Sequence, residues 1–285
     1  MSEVEVLGII TYPIKSCGGV ELQRAQLEQG GLLHDRSWML VAPNGKFLNQ
    51  QRHPTMALIR VDALDASGVT VSAPGKEPLR IDRIDADRGE PFLVYKSTVE
   101  GLRVGREADD WFTDVLGTPC HLIQSVDRIT REVADEYPAA HEDPDSIGRR
   151  VDFADDLPLL VATRASLDAL NDKLEDAVEM RRFRPNVILD GTTSFAENQW
   201  HLLRREDGFE LLGAKPCVRC SMITVDLERG ELDGPEPLRS LTALNNPGKI
   251  GPVFGALMMS RGGATLSVGD TFRVVTASHP PEDSE

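Results

Sequence analysis

The sequence predicts a mostly β fold with a few helices (an α+β class), its short strands closing into barrels. Two observations predict it. Short runs of β-branched and apolar residues recur along the chain, each bounded by glycine, proline or asparagine turn signals. Helical periodicity is confined to three short stretches. A chain of 285 residues suffices for one large or two modest domains, and 5% aromatic content makes the core aliphatic.

The elements follow in order. Val4 to Thr11 is apolar and β-branched, a first strand. Pro13 and Gly18-Gly19 end it, leaving Lys15 and Ser16 in a loop whose glycine amides suit an oxyanion. Asp35-Arg36 precedes a strand ending near Val41, and Pro43 to Lys46 is a hairpin turn with Phe47 opening the return strand. A meander continues over Ala57 to Leu64 and Val69 to Ser72, with short strands at Phe92 to Tyr95 and Gly101 to Val104. Ala108 to Leu116 is an amphipathic helix closed by Gly117, and His121 to Gln124 is a strand. Residues 127–144 are polar and acidic and mark a module boundary. Beyond it come a buried strand at Leu159 to Thr163 and a helix over Ser166 to Leu174 with Ser166 as N-cap. Pro185 biases Arg184 toward extended backbone ahead of the strand Val187 to Leu189, so Arg184 and Asn186 point to one side. Phe209 to Leu212 leads into a cysteine stretch, after which Met222 to Val225 reads as a strand. Leu238 to Leu244 is a third helix, and Pro252 to Ser260 and Thr265 to Val275 are closing strands. The expected division is 1–125, 126–277 and a polar tail 278–285.

Charge excludes several functions. Lys and Arg number 31 against 46 Asp and Glu, a formal net charge of −15, which argues against nucleic acid or an anionic membrane as partner. No apolar run is long enough to span a bilayer, and the N-terminus lacks signal-peptide character, so a cytoplasmic location is expected. In that compartment Cys17, Cys120, Cys217 and Cys220 are read as free thiols. A monomer is expected.

The chemistry centres on Gly213 to Asp226, which holds Cys217 and Cys220 with Arg219 between them. A thiolate beside a guanidinium is a reactive arrangement. Structural zinc needs four ligands, yet there is no second Cys-x-x-Cys and no histidine pair at ligand spacing. A thioredoxin-like pair expects a helix after the motif, where this chain has β-formers. In an extended segment positions 217 and 220 face opposite sides, so one cysteine is packed and the other presented to a cleft, which favours one functional thiolate. No serine elbow, phosphate-binding P-loop or dinucleotide glycine fingerprint is present. What remains is a thiol with Lys15, Arg36 and Arg184 and the polar Ser16 and Asn186, a set suited to a large anionic cofactor carrying a soft metal.

Five motifs carry a resemblance. Tyr12 to Cys17 (Tyr-Pro-Ile-Lys-Ser-Cys), His34 to Trp38, Phe183 to Val187 (Phe-Arg-Pro-Asn-Val), Pro216 to Cys220 with Thr224 to Asp226, and Pro252 to Gly255 stand in an order that resembles the two-part MOSC proteins. Their relatives include the mitochondrial amidoxime reducing component. The resemblance implies an N-terminal MOSC-type β-barrel packed on a C-terminal MOSC β-barrel, with a molybdenum cofactor (Mo-molybdopterin) in the cleft between. Cys220 falls on the metal ligand and catalytic position, and Lys15, Ser16, Arg36, Arg184, Asn186 and Arg219 on cofactor-binding positions. The loop from Asp155 to Leu157 aligns with a further contact region but differs in residue type. The implied activity is that of a molybdenum-dependent oxidoreductase: two-electron reduction of N-hydroxylated small molecules (amidoximes, hydroxylamines, N-hydroxylated bases), fed by a separate flavin or iron–sulfur donor protein. The alternative is a sulfur carrier or cofactor-handling protein working through a Cys220 persulfide. Pyridoxal phosphate is not expected in this chain.

Overall fold

The computed structural model describes residues 2–28, 30–86, 89–94, 97–126, 131–132, 150–247 and 250–276. The expected boundary stretch and tail lie almost wholly outside them. Seven strands form a closed barrel: β1 (Glu3–Thr11), β2 (Leu159–Thr163), β3 (Val187–Asp190), β4 (Trp200–Arg204), β5 (Glu210–Val218), β6 (Val253–Arg261) and β7 (Thr271–Thr276). Their order around the barrel is β3-β2-β6-β5-β4-β7-β1, and β1 pairs back onto β3 to close it. Closure removes the exposed edges of the sheet. A short strand, Val20–Leu22, extends the far end of β1.

The two modules interleave in the chain. β1, at the start of the sequence, completes the barrel whose other strands begin at Leu159. Its alternation explains the fit: Val4 and Val6 are buried, while Glu3 and Glu5 face out. The barrel core is aliphatic, with Val4, Val6, Ile9, Leu159, Val161, Leu189, Leu203, Leu211 and Met258 buried together and Phe272 among them. Among the seven barrel strands only β2 and β3 pair in parallel. A parallel pair needs a crossover, here helix α2 (Arg164–Asn171) and a 3-10 turn, Met180–Phe183.

The other module wraps two antiparallel sheets around its own core. One sheet runs Trp38–Val41, His121–Ser125, Ser97–Arg103, Glu90–Val94; the other runs Arg60–Asp65, Gly68–Ser72, Leu79–Asp82. Helix α1 (Arg106–Leu116) buries Ala108 and Phe112 against this core and ends at Gly117 in the left-handed conformation (φ 61°), as its glycine predicts. A third helix, α3 (Leu238–Leu244), packs Leu241 beside Phe254 and Phe183. Cys17 and Cys120 are buried in the first module's core, and all four thiols are free. Among the described residues no helix is long and apolar enough to cross a membrane.

Four local expectations change. The N-cap of α2 is Thr163, whose Oγ1 accepts from the Ser166 amide at 3.2 Å; Ser166 lies inside the helix with its hydroxyl on buried Glu197. Phe47 makes a single bridge to Val41 rather than a return strand, although the turn before it forms. Met222 to Val225 is mostly a 3-10 turn (Ser221–Thr224), because Ile223 N–H and Thr224 Oγ1 bond back to the Cys220 and Ser221 carbonyls. Arg184 is left-handed (φ 56°, ψ 44°) rather than extended: it caps the Met180–Phe183 turn, its amide donating to the Arg181 carbonyl.

Candidate functional site

Where the two modules meet, a cavity of about 340 Å³ gathers Lys15, Ser16, Arg36, Arg184, Asn186, Arg219 and Cys220. The first two sit on the turn leaving β1. Ile14 and Cys17 are fully buried on either side and anchor that turn, and the Lys15 amide donates to the Trp38 carbonyl at 2.8 Å. Lys15 Nζ donates to the Phe153 carbonyl at 2.7 Å and pairs with Asp155, whose side chain is largely exposed. Ser16 is left-handed, with φ 66°. The expected glycine amides are elsewhere: Gly18 N–H is taken by the Ile59 carbonyl at 2.8 Å, and neither Gly18 nor Gly19 lines this cavity.

Arg36 and Arg184 share one aromatic platform. Their guanidinium carbons lie 4.8 and 4.2 Å from the Tyr12 ring centroid. Arg36 pairs with Asp35, whose carboxylate also accepts the Tyr12 amide at 2.8 Å. Burial works against the Arg36 charge, but the adjacent Asp35 outweighs it and the pKa is raised. Arg184 differs. Among the described residues no carboxylate pairs with it. Its Nη1 donates to the Cys17 carbonyl at 2.5 Å, and its buried Nη2 has no hydrogen-bond partner. Burial, then the Arg36 charge, push its pKa down to about 10, so it stays cationic at neutral pH.

Asn186 spends its side chain on the protein. Its Oδ1 accepts from the Leu160 amide (3.1 Å) and Arg36 Nη1 (3.2 Å), and its Nδ2 donates to the Ile10 carbonyl (3.2 Å). It therefore ties β1 to β2 and sets the direction of Arg36.

The cysteine stretch departs from the alternation expected of it. Strand β5 carries register shifts between Gly213 and Lys215 and between Pro216 and Val218, so inward and outward positions are lost there. Cys217 is consequently half-exposed and lines the cavity with Cys220 instead of packing in a core. Arg219 Nη1 donates to the Cys217 sulfur at 2.9 Å, its Nη2 donates to the Phe183 carbonyl at 2.8 Å, and its buried Nε is unpartnered. Cys220 is the exposed thiol, held in extended backbone at the head of the 3-10 turn. Gln51 of the first module reaches across to the next residue, donating to Ser221 Oγ at 2.7 Å.

Two further features escaped the sequence reading. Lys215 lines the cavity, paired with Asp156 at 2.5 Å, and Asp155 meets Lys15, so the Asp155–Leu157 loop contributes side chains. The signal for Lys215 was its place at the head of the cysteine stretch, in an acidic chain. Five cations thus face two lining carboxylates, a local reversal of the chain's charge. Among the described residues no group of three or more His, Cys, Asp or Glu side chains is placed to hold a metal. A larger open depression of about 920 Å³, near Asp190 and Trp200, is lined by no cation, cysteine or histidine. The arrangement fits a bulky anion bearing a soft metal: unpartnered buried donors at Arg184 and Arg219, and one exposed sulfur.

Two family models together cover most of the chain. Residues 3–119 match the MOSC N-terminal beta barrel domain and residues 148–273 the MOSC domain. The chain is 30% identical over 275 residues to mitochondrial amidoxime-reducing component 1 of Mus musculus, covering 91% of this chain and 78% of that protein. This chain is a two-part MOSC protein. Another relative of this MOSC protein is mitochondrial amidoxime reducing component 2 of Bos taurus, 29% identical over 274 residues, covering 91% and 80% of the two chains. A third is the molybdenum cofactor sulfurase of Oryza sativa subsp. japonica, 29% identical over 276 residues; the MOSC chain covers 33% of that longer protein. The relatives of this MOSC protein are thus named as amidoxime reducing components and as a molybdenum cofactor sulfurase.

Proposed function

We propose that this protein is a molybdenum-cofactor-dependent oxidoreductase that reduces N-hydroxylated small molecules such as amidoximes, hydroxylamines and N-hydroxylated bases. The observation that carries the reading is Arg184, a buried guanidinium with an unpartnered Nη2 and, among the described residues, no paired carboxylate, lining the same cavity as the exposed Cys220 thiol. A buried uncompensated cation is costly in an empty protein and favourable beside a phosphate. Cys220 would be the protein's sulfur ligand to molybdenum. Lys15, Ser16, Arg36 and Arg184 would hold the anionic pterin. Asn186 acts as a positioning residue through Arg36, and Arg219 fixes the cysteine loop to the Phe183 carbonyl. Lys15 exchanges Asp155, whose exposed side chain can turn to solvent, for the incoming anion.

When bound, the cofactor supplies two-electron oxygen-transfer chemistry; the protein supplies anchoring, orientation and charge. The net reaction breaks the substrate N–O bond, consumes two electrons and two protons and releases water. A separate flavin or iron–sulfur protein would deliver the electrons. The likeness to a molybdenum cofactor sulfurase supports a second reading, in which Cys220 carries sulfur as a persulfide.

The test is metal and pterin analysis of protein produced with a working cofactor pathway. One molybdenum per chain, lost in Cys220→Ala together with amidoxime reduction driven by an artificial electron donor, supports the reductase. Undiminished activity in that variant overturns it. A Cys220 persulfide detected by mass spectrometry, with cofactor bound but no N-reduction, favours the carrier.

A further inference from the structure

A second cavity, of about 330 Å³, opens behind the Tyr12 platform. Arg184 lines both cavities, whereas Tyr12 and Gln50 line only this one. Three side chains here bring buried polar atoms with no hydrogen-bond partner: Tyr12 Oη, Gln50 Oε1 and Arg184 Nη2. Tyr12 and Gln50 are each 2% exposed and Arg184 8%. An unsatisfied buried polar group costs about 1–3 kcal/mol, so three around one void point to something that satisfies them.

Their chemistry restricts the occupant. Arg184 offers a cationic donor. Tyr12 offers an O–H, since burial first of all pushes its pKa up to about 12 and keeps the phenol protonated. Gln50 Oε1 can only accept, so the occupant must itself bring an O–H or N–H. The rim carries Arg60 and Arg181 against Asp62 and Glu228, which with Arg184 leaves one net positive charge. Gly18 and Gly19 form part of the wall, and a Cβ on Gly19 would come within 2.6 Å of the Tyr12 ring, so the wall is close-fitting. We propose that this second cavity binds a small protonated oxyanion, hydrogen phosphate being the simplest, with its oxygens on Arg184 and Tyr12 and its own O–H on Gln50. Sulfate has the same shape and no proton to donate at neutral pH, so the site discriminates against it.

Calorimetric titration of the full chain with inorganic phosphate, and separately with sulfate, tests this. Phosphate binds and sulfate is at least about tenfold weaker, the worth of one hydrogen bond to a charged ligand. Gln50→Leu loses the preference by weakening phosphate about tenfold, with sulfate unchanged. Tyr12→Phe, which deletes only the hydroxyl, weakens both anions and serves if Gln50→Leu misfolds. Lys15→Met, altered in the first cavity alone, keeps the preference for phosphate over sulfate. Absence of binding, equal affinity for the two anions, or loss of that preference in Lys15→Met overturns the assignment.

Discussion

Replacing Asp35 by asparagine separates two contributions that one carboxylate makes. Asp35 is buried, pairs with Arg36 and accepts the Tyr12 amide. A charge pair near 4 Å is worth about 4 kcal/mol at an effective dielectric of 20, and removing one partner of a buried pair costs about 3–5 kcal/mol. Asparagine keeps an acceptor for the Tyr12 amide, so the expected loss is at the lower end, about 3 kcal/mol. For a chain of this size that lowers the melting temperature by roughly 6–12 °C. The same change leaves two guanidiniums on one ring with their nearest negative charge gone. An added anion should then restore more stability in Asp35→Asn than in the parent. The assay is urea denaturation and thermal melting of both proteins, with and without inorganic pyrophosphate. A loss below about 1 kcal/mol, or no larger pyrophosphate stabilisation in the variant, refutes the view that Asp35 holds the cavity's charge in check.

Two other expectations rest on burial. Glu197 is buried beneath the hydroxyls of Thr163 and Ser166 (3.1 and 2.7 Å), and desolvation first of all raises its pKa. A raised carboxyl pKa gives stability that is full below the unfolded value and is lost as pH rises through the folded one. Parent protein should therefore lose stability across that window, and Glu197→Gln should flatten the curve, as followed by urea midpoints against pH. Alkylation with iodoacetamide, mapped by mass spectrometry on the folded chain, should label Cys220 and Cys217 and spare Cys17 and Cys120. The last two are buried, and burial pushes the Cys17 thiol up to about 12; modification of Cys17 before unfolding would contradict its place in the core.

The sequence was most legible where local physics decides. The alternation of β1, the apolar run of β2, and the glycine closing α1 each named an element that forms. It was silent where distant segments decide. Closure depends on β1 meeting β3, with Ile9 opposite Val187, and no local pattern reports such a pairing. Strand β4 carries no local signal, because Trp200 to Arg204 mixes buried and exposed residues without clean alternation. At the site, the residue types of Lys15, Ser16, Arg36 and Cys220 could be read from their motifs, and they share one cavity. The position of Cys217 could not, because it turns on two bulges in β5 that only the facing strand β6 reveals.

Backbone strain supplies the remaining link between site and stability. Five non-glycine residues have positive φ among the described residues, and Ser16, Arg36 and Arg184 are three of them, with His34 a fourth nearby in sequence. Left-handed backbone costs a residue with a Cβ about 1–2 kcal/mol, and glycine would remove that cost. Glycine cannot bring a hydroxyl or a guanidinium, so under the proposed function keeping side chains here would trade stability for contacts to the cofactor. Ser16→Gly measures the trade. Relief of about 1–2 kcal/mol, less the 0.5–1 kcal/mol entropic cost of an added glycine, leaves the ligand-free variant at least as stable as the parent. Its cofactor content, measured as molybdenum and pterin per chain, should fall. A variant destabilised by more than about 1 kcal/mol with full cofactor content would mean that Ser16 supports the turn rather than the ligand.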